Sequence, residues 1–144
     1  MVEQDTIKLL RECDAGVKMG ASSLDDALEF ARGDALRRLL RDCRAKHDRL
    51  DGELRSLLAE YRDEGREPNP ITQMMSEMGT KLKLTVNGSD SAVAELMTDG
   101  CNMGVKSLSR YLNQYQAADE RSKDLAKRLI AVEDRLAVDL RAYL

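Results

Sequence analysis

Apolar and small residues fall at Leu10, Cys13, Val17, Gly20, Leu24, Ala27 and Ala31. The steps between them alternate between three and four. That spacing places them on one stripe of a helix packed against other helices. A second stripe follows at Leu36, Leu40, Cys43, His47, Leu50, Leu54, Leu57 and Tyr61. It predicts a helix of about 30 residues, roughly 45 Å long at the helical rise. Gly33 reads as the stop of the first helix. Asp34 reads as the cap of the second, accepting from its free N–H groups. The tripeptide Arg32-Gly33-Asp34 is therefore a stop and restart rather than an adhesion signal.

The run from Gly65 to Pro70 breaks the pattern and predicts a loop. Ile71, Met75, Met78 and Leu82 then resume helical spacing. The stretch from Thr80 to Val86 alternates like a strand, but a lone strand has no sheet to join. It is read as the end of a short connector helix over 70–86. Asn87-Gly88 predicts a turn, and Ser89 or Asp90 caps the next helix. A third stripe runs through Met97, Cys101, Gly104, Leu108, Tyr111 and Tyr115. A fourth runs through Leu129, Glu133, Leu136, Leu140 and Tyr143. A turn near Ala117-Ala118-Asp119 is required to fold one onto the other.

The two halves resemble each other. Cys13-Asp14-Ala15-Gly16-Val17-Lys18 matches Cys101-Asn102-Met103-Gly104-Val105-Lys106 at an offset of 88. Ala45-Lys46-His47-Asp48-Arg49-Leu50 matches Ala131-Val132-Glu133-Asp134-Arg135-Leu136 at an offset of 86. That second offset carries Gly33 to Asp119, which places the missing turn independently. The expected domain is one bundle over 1–144, with a hairpin over 5–64, the connector helix over 70–86 and a hairpin over 90–144. A long crossover between two hairpins gives a four-helix bundle with ferritin-like connectivity.

The chain resembles the ferritin-like superfamily, especially its small bacterial helical-bundle proteins. The features that carry the resemblance are the paired long helices, the Pro-started connector with Met78-Gly79-Thr80-Lys81-Leu82-Lys83, and Gly104-Val105-Lys106-Ser107-Leu108 in the third long helix. The resemblance implies an all-α, ferritin-like antiparallel four-helix bundle of two repeated helical hairpins joined by a short connector helix. Di-iron members place a Glu on each of two helices and a Glu-x-x-His on each of the others. This sequence has no Glu-x-x-His: Arg44 stands three residues before His47, and Ile130 three before Glu133.

Composition narrows the chemistry further. Of 144 residues, 34% are charged and 3% aromatic, with one His, three Cys and a net charge of −3. Basic and acidic residues interleave, so no basic stripe for nucleic acid is expected. No run of about 18 apolar residues is present, so no membrane span is expected. The start of the chain, Met1 to Thr6, shows no signal-peptide pattern. The distant cysteines Cys13, Cys43 and Cys101 suit a reducing cytoplasm.

Cys13, His47, Cys101 and Glu133 lie on inward stripes, one per long helix. Thiolate, imidazole and carboxylate together suit zinc or iron. Their levels differ, however. With the first turn centred near residue 33, His47 faces residue 19, roughly 9 Å along the axis from Cys13. The structural alternative makes the cysteines small buried apolar groups and has His47 hydrogen-bond Glu133 across the core. Gly16, Gly20, Gly100 and Gly104 then allow close helix approach or leave room for larger neighbours. Cys43 and His47, four residues apart, suit a thiolate pair, but a buried seam offers no evident substrate cleft. Met74, Met75 and Met78 read as packing, or otherwise as an adaptable binding surface. Leu39, Leu58, Leu112 and Leu125 lie beside or off the stripes and suggest a homodimer face.

The expected function is non-catalytic: assembly or protein–protein interaction, as a homo-oligomer or with a protein partner, and with no cofactor. The rival is a metal-binding or thiol-redox protein using the Cys/His/Glu set.

Overall fold

The computed structural model describes residues 2–65 and 88–144. The connector expected over 70–86, with Met74, Met75 and Met78, lies outside the described residues. Among the described residues there are four long α-helices and no strand. They are α1 (Val2–Phe30), α2 (Asp34–Glu60), α3 (Asp90–Gln114) and α4 (Glu120–Leu140), followed by a 3-10 turn over Arg141–Tyr143.

Each helix turns its apolar stripe inward. Leu10, Cys13, Val17, Leu24 and Ala27 are buried on α1, and Leu36, Leu40, Cys43, His47, Leu50 and Leu54 on α2. At the end of α2 the stripe shifts: Leu58 is buried at 1% exposure, while Leu57 is only half-buried. A straight helix has 3.6 residues per turn, so a strict 3.5-residue repeat drifts off its face after a few turns. Leu125 on α4 is likewise buried at 2% exposure. Leu58 and Leu125 are therefore core residues, which corrects their expected place on a dimer face.

The helix ends show how the chain is arranged. Asp90, at the start of α3, accepts hydrogen bonds from the backbone N–H groups of Arg32 and Gly33, each at 2.8 Å. At the opposite end, Arg11 pairs with Asp63 just beyond α2, and Tyr61 donates to Asp119 at 2.9 Å. Asp119 N–H donates to Thr6 Oγ1 at 2.8 Å, and Ala117 N–H to Asp5 at 3.0 Å. The start of α1, the end of α2, the end of α3 and the start of α4 thus share one end of the bundle. Helices α2 and α3 run parallel, and residues 65 and 88 stand at opposite ends.

The caps differ in two respects from expectation. Gly33, not Asp34, is the N-cap of α2, and no side chain of its own helix caps it. Gly33 has an extended backbone, φ −68°, so it is no left-handed stop. A Cβ there would lie 2.8 Å from the Asp90 carboxylate, which explains the glycine by close approach. Arg37 instead closes α1, donating to the carbonyls of Leu28 and Ala31. Ser89 caps α3, and Asp119 caps α4 by accepting from Ser122 N–H at 2.8 Å.

The core divides into two apolar layers. One holds Leu9, Leu10, Cys13, Val17, Leu50, Leu54, Leu58, Leu108, Leu125 and Leu129 with two alanines. The other holds Leu24, Leu36, Leu40, Cys43, Val93, Met97, Cys101, Leu136 and Leu140 with three alanines. Between them, midway along the helices, lies a polar level.

Candidate functional site: a buried His–Glu pair at the wall of a groove

His47, midway along α2, is 1% exposed, and Glu133, midway along α4, is 9% exposed. Groups this polar are held in a core only when they are paired and hydrogen-bonded. His47 Nδ1–H donates to the Cys43 carbonyl oxygen at 2.9 Å, one turn back on its own helix. A carbonyl can only accept, so this bond fixes the proton on Nδ1. His47 Nε2 lies 2.9 Å from Glu133 Oε1. Burial pushes the imidazole pKa down, but the bonds to Cys43 and Glu133 outweigh it and raise it to about 10. At neutral pH the ring is therefore a cation, with Nε2–H donating to the carboxylate.

The partners on α1 and α3 at this level are glycines. A Cβ on Gly20 would lie 2.5 Å from His47 Nε2 and 3.4 Å from Glu133 Oε1. A Cβ on Gly104 would lie 3.8 Å from the Glu133 carboxyl carbon and 3.9 Å from Oε2. The imidazole fits only because Gly20 has no side chain.

Of the four sequence-predicted site residues, His47 and Glu133 meet directly. Cys101 borders them: Glu133 and burial act on its thiol together, burial being the larger cause, and push its pKa well above the usual value. Cys13 lies in the leucine-rich layer with Leu9, Leu10 and Leu54, and burial pushes its thiol up to about 12. Thiolates are the reactive form of cysteine, so neither environment activates a nucleophile. Among the described residues, no group of three or more His, Cys, Asp or Glu is placed to hold a metal ion. His47 Nε2 and Glu133 Oε1 face each other, the N–H donating and the carboxylate accepting.

Sequence reasoning missed two features. The first is a groove of about 360 Å³ between α1 and α3, which corrects the expectation that the seam offers no cleft. Gly16, Gly20, Gly100 and Gly104 line it with Met19, Met97, Cys101 and Leu136, and His47 and Glu133 form part of its wall. The four glycines were the signal, because side chains missing from two facing helices leave a channel. The second is Asp14, fully buried beside the leucine-rich layer. It pairs with Lys18 at 3.0 Å and with Arg55, which also reaches Asp51 at 3.4 Å. Gly65, with φ +88°, closes over this carboxylate where a Cβ would collide with it. Asp14 sits one place off the apolar stripe, so spacing alone gave no reason to bury it.

No helix among the described residues is long and apolar enough to cross a membrane. Compared with family models, curated proteins and solved structures, the chain matches none.

Proposed function

We propose that this chain is a non-catalytic binding module: a ferritin-like bundle of two duplicated hairpins whose working surface is the groove between α1 and α3. One observation carries the reading. Among the described residues, the groove opens the core between α1 and α3, and a charged pair lies at its wall. Apolar pockets with a few convergent polar groups are where small ligands and apolar side chains bind. The buried thiols and the internally neutralised His–Glu pair argue against catalysis. Action in a bacterial-type cytoplasm, as a homodimer or with a protein partner, completes the proposal.

The test is groove filling. A Cβ on Gly100 meets nothing within 4 Å, so Gly100→Leu enters the groove without strain at its base. The neutral apolar dye Nile red should bind the native protein and lose most of its affinity for Gly100→Leu. Equal binding by the two proteins, both folded by circular dichroism, would refute the groove as the working surface.

A second reading, metal binding, has one favourable observation. An Nδ1–H anchored on a backbone carbonyl is how metal-bound histidines are oriented, with Nε2 turned to the ligand position. About one zinc or iron per chain by elemental analysis, lost in His47→Ala, would support it over the binding module. Metal-free protein of full stability would exclude it.

A further inference from the structure

The groove is long and narrow. On α1 its lining runs from Glu12 to Leu24, about 18 Å of helix. On α3 it runs from Leu96 to Tyr111, about 22 Å. The two walls are antiparallel and in register. A Cβ on Gly16 would touch Leu108 at 3.9 Å, and Cβ atoms on Gly20 and Gly104 would both meet Glu133. Spread over about 18 Å, a volume of about 360 Å³ leaves a mean section of about 20 Å². That is the section of one extended hydrocarbon chain, far thinner than a helix about 10 Å across.

Length and volume give the same chain. A zigzag of C–C single bonds advances about 1.25 Å per carbon, so about 18 Å holds about 14 carbons. A cavity of about 150 Å³ takes up the six carbons of benzene, so about 360 Å³ also holds about 14. The lining suits such a chain. Met19, Met97 and Met103 adapt to irregular apolar shapes. The polar pair at mid-length is matched within the protein, because Glu133 accepts from His47 Nε2–H and from the Cys101 thiol. His47 and Glu133 are already 1% and 9% exposed, so a methylene laid over them displaces little water. Ser23 and Ser107 sit on helices, where a hydroxyl is able to bond the carbonyl one turn back.

The two ends of the groove differ. Leu24, Leu96 and Met97 line one end. Glu12 and Tyr111 line the other, and Glu12 also borders a second recess of about 340 Å³ with Lys8, Arg11 and Tyr115. Arg11 is held there by Asp63. Ammonium, guanidinium, carboxylate and phenol give the recess both hydrogen-bond donors and acceptors. Groove and recess together have the layout of an amphiphile, an apolar track opening onto a polar basin.

We propose that the α1–α3 groove binds a single-chain amphiphile. Its straight alkyl tail, about 14 carbons long, lies along the two helices with the terminal methyl beside Leu24 and Met97. Its hydroxyl-rich head lies in the recess beside Tyr115. This rests on the groove being the working surface, and the experiment separates the two claims. Alkyl maltosides with straight tails from octyl to hexadecyl are titrated into the full chain below their micelle concentrations. Amide chemical shifts give the affinities.

Each added methylene should tighten binding about fourfold as far as the tetradecyl tail. The hexadecyl tail should then add less than about twofold, since its last carbons find no further groove. Intermolecular NOEs should join the terminal methyl to Met97 and the sugar to Tyr115. Gly100→Leu, about 6 Å from the Leu96 end, should move the levelling point to about ten carbons. Affinity that ignores tail length, or that climbs just as steeply beyond tetradecyl, would overturn the bounded tail. Nile red binding that Gly100→Leu removes would still leave the groove standing in that case. Sugar contacts at Met97 instead of Tyr115 would overturn the head's placement. An unchanged levelling point in folded Gly100→Leu would overturn the groove as the track. The wild-type series decides the matter even if the variant folds poorly.

Discussion

The two apolar layers flank one polar level but are built from different residues. The layer at the end where α1 begins contains eight leucines, and the layer at the other end contains five. In the second layer Ala27, Ala31, Ala94, Cys43 and Cys101 are small core residues, and of these Cys101 alone borders the groove. The groove lies nearer this layer. Leu24, Met97, Cys101 and Leu136 of the leucine-poor layer border it, but only Leu108 of the leucine-rich one. One bundle thus combines a layer rich in leucine with a layer of more small residues that borders the groove. The His47–Glu133 pair marks the boundary.

Breaking that boundary should have the largest effect. His47→Leu leaves Glu133 as a buried charge without its partner, at a cost of about 3–5 kcal/mol. Adding Glu133→Met should restore stability to within about 1 kcal/mol of the wild type, because removing both charges removes the desolvation penalty too. Urea unfolding measures both. Equal losses in the single and double variants would show that the pair matters for its shape, not its charge.

The pair also predicts a pH dependence. His47 has a folded pKa of about 10, above its unfolded value near 6.5. Its contribution is fully present below about pH 6.5 and declines as the pH rises through about 10. The slope in that window is at most ~1.4 kcal/mol per pH unit. The double variant should lack this slope. An identical alkaline profile in the two proteins would remove the pair from the explanation.

Truncations compare the layers directly. Leu54→Ala removes a fully buried side chain in the leucine-rich layer and should cost toward the upper end of about 2–5 kcal/mol. Met97→Ala, whose side chain already borders the groove, should fall at the lower end of that range. A reversed order would mean that the leucine-poor layer is the more tightly packed.

The smallest effect concerns Cys13 and Cys101, which the offset of 88 relates. With the other cysteines replaced by Ala, Cys13 should be labelled by a disulfide reagent only through global unfolding. Cys101 should react faster, through local opening of the groove wall. Equal rates for the two single-cysteine proteins would count against the difference.

Much of this arrangement was legible in the apolar spacing. Leu40, Cys43, His47 and Leu50 on α2, and Leu129, Glu133 and Leu136 on α4, are buried as their period requires. The turn at Asp119 fell where the offset from Gly33 places it, and both residues are N-caps. The levels of side chains were harder to read. Spacing assigns a residue to a face, but its height opposite a neighbour depends on where the turn centres. The estimate that His47 faces residue 19 came within one position of Gly20, yet Cys13 still reads as an inward residue by period alone. The groove was not legible as a cavity, because a glycine can mean either close helix approach or empty space. Gly20 does neither, making room instead for the His47 side chain, while Gly100 faces open space.

The hydrogen bonds at the two ends have a consequence for how the chain acquires its structure. The start of the second hairpin, Asp90, satisfies backbone N–H groups in the turn of the first. The start of the first hairpin, Asp5 and Thr6, satisfies backbone N–H groups in the turn of the second. The exchange is reciprocal, so neither turn is complete without the other hairpin. The unit of cooperativity is consequently the assembled pair. A cut chain would be expected to regain its order only by complementation, with two separately incomplete fragments finishing each other.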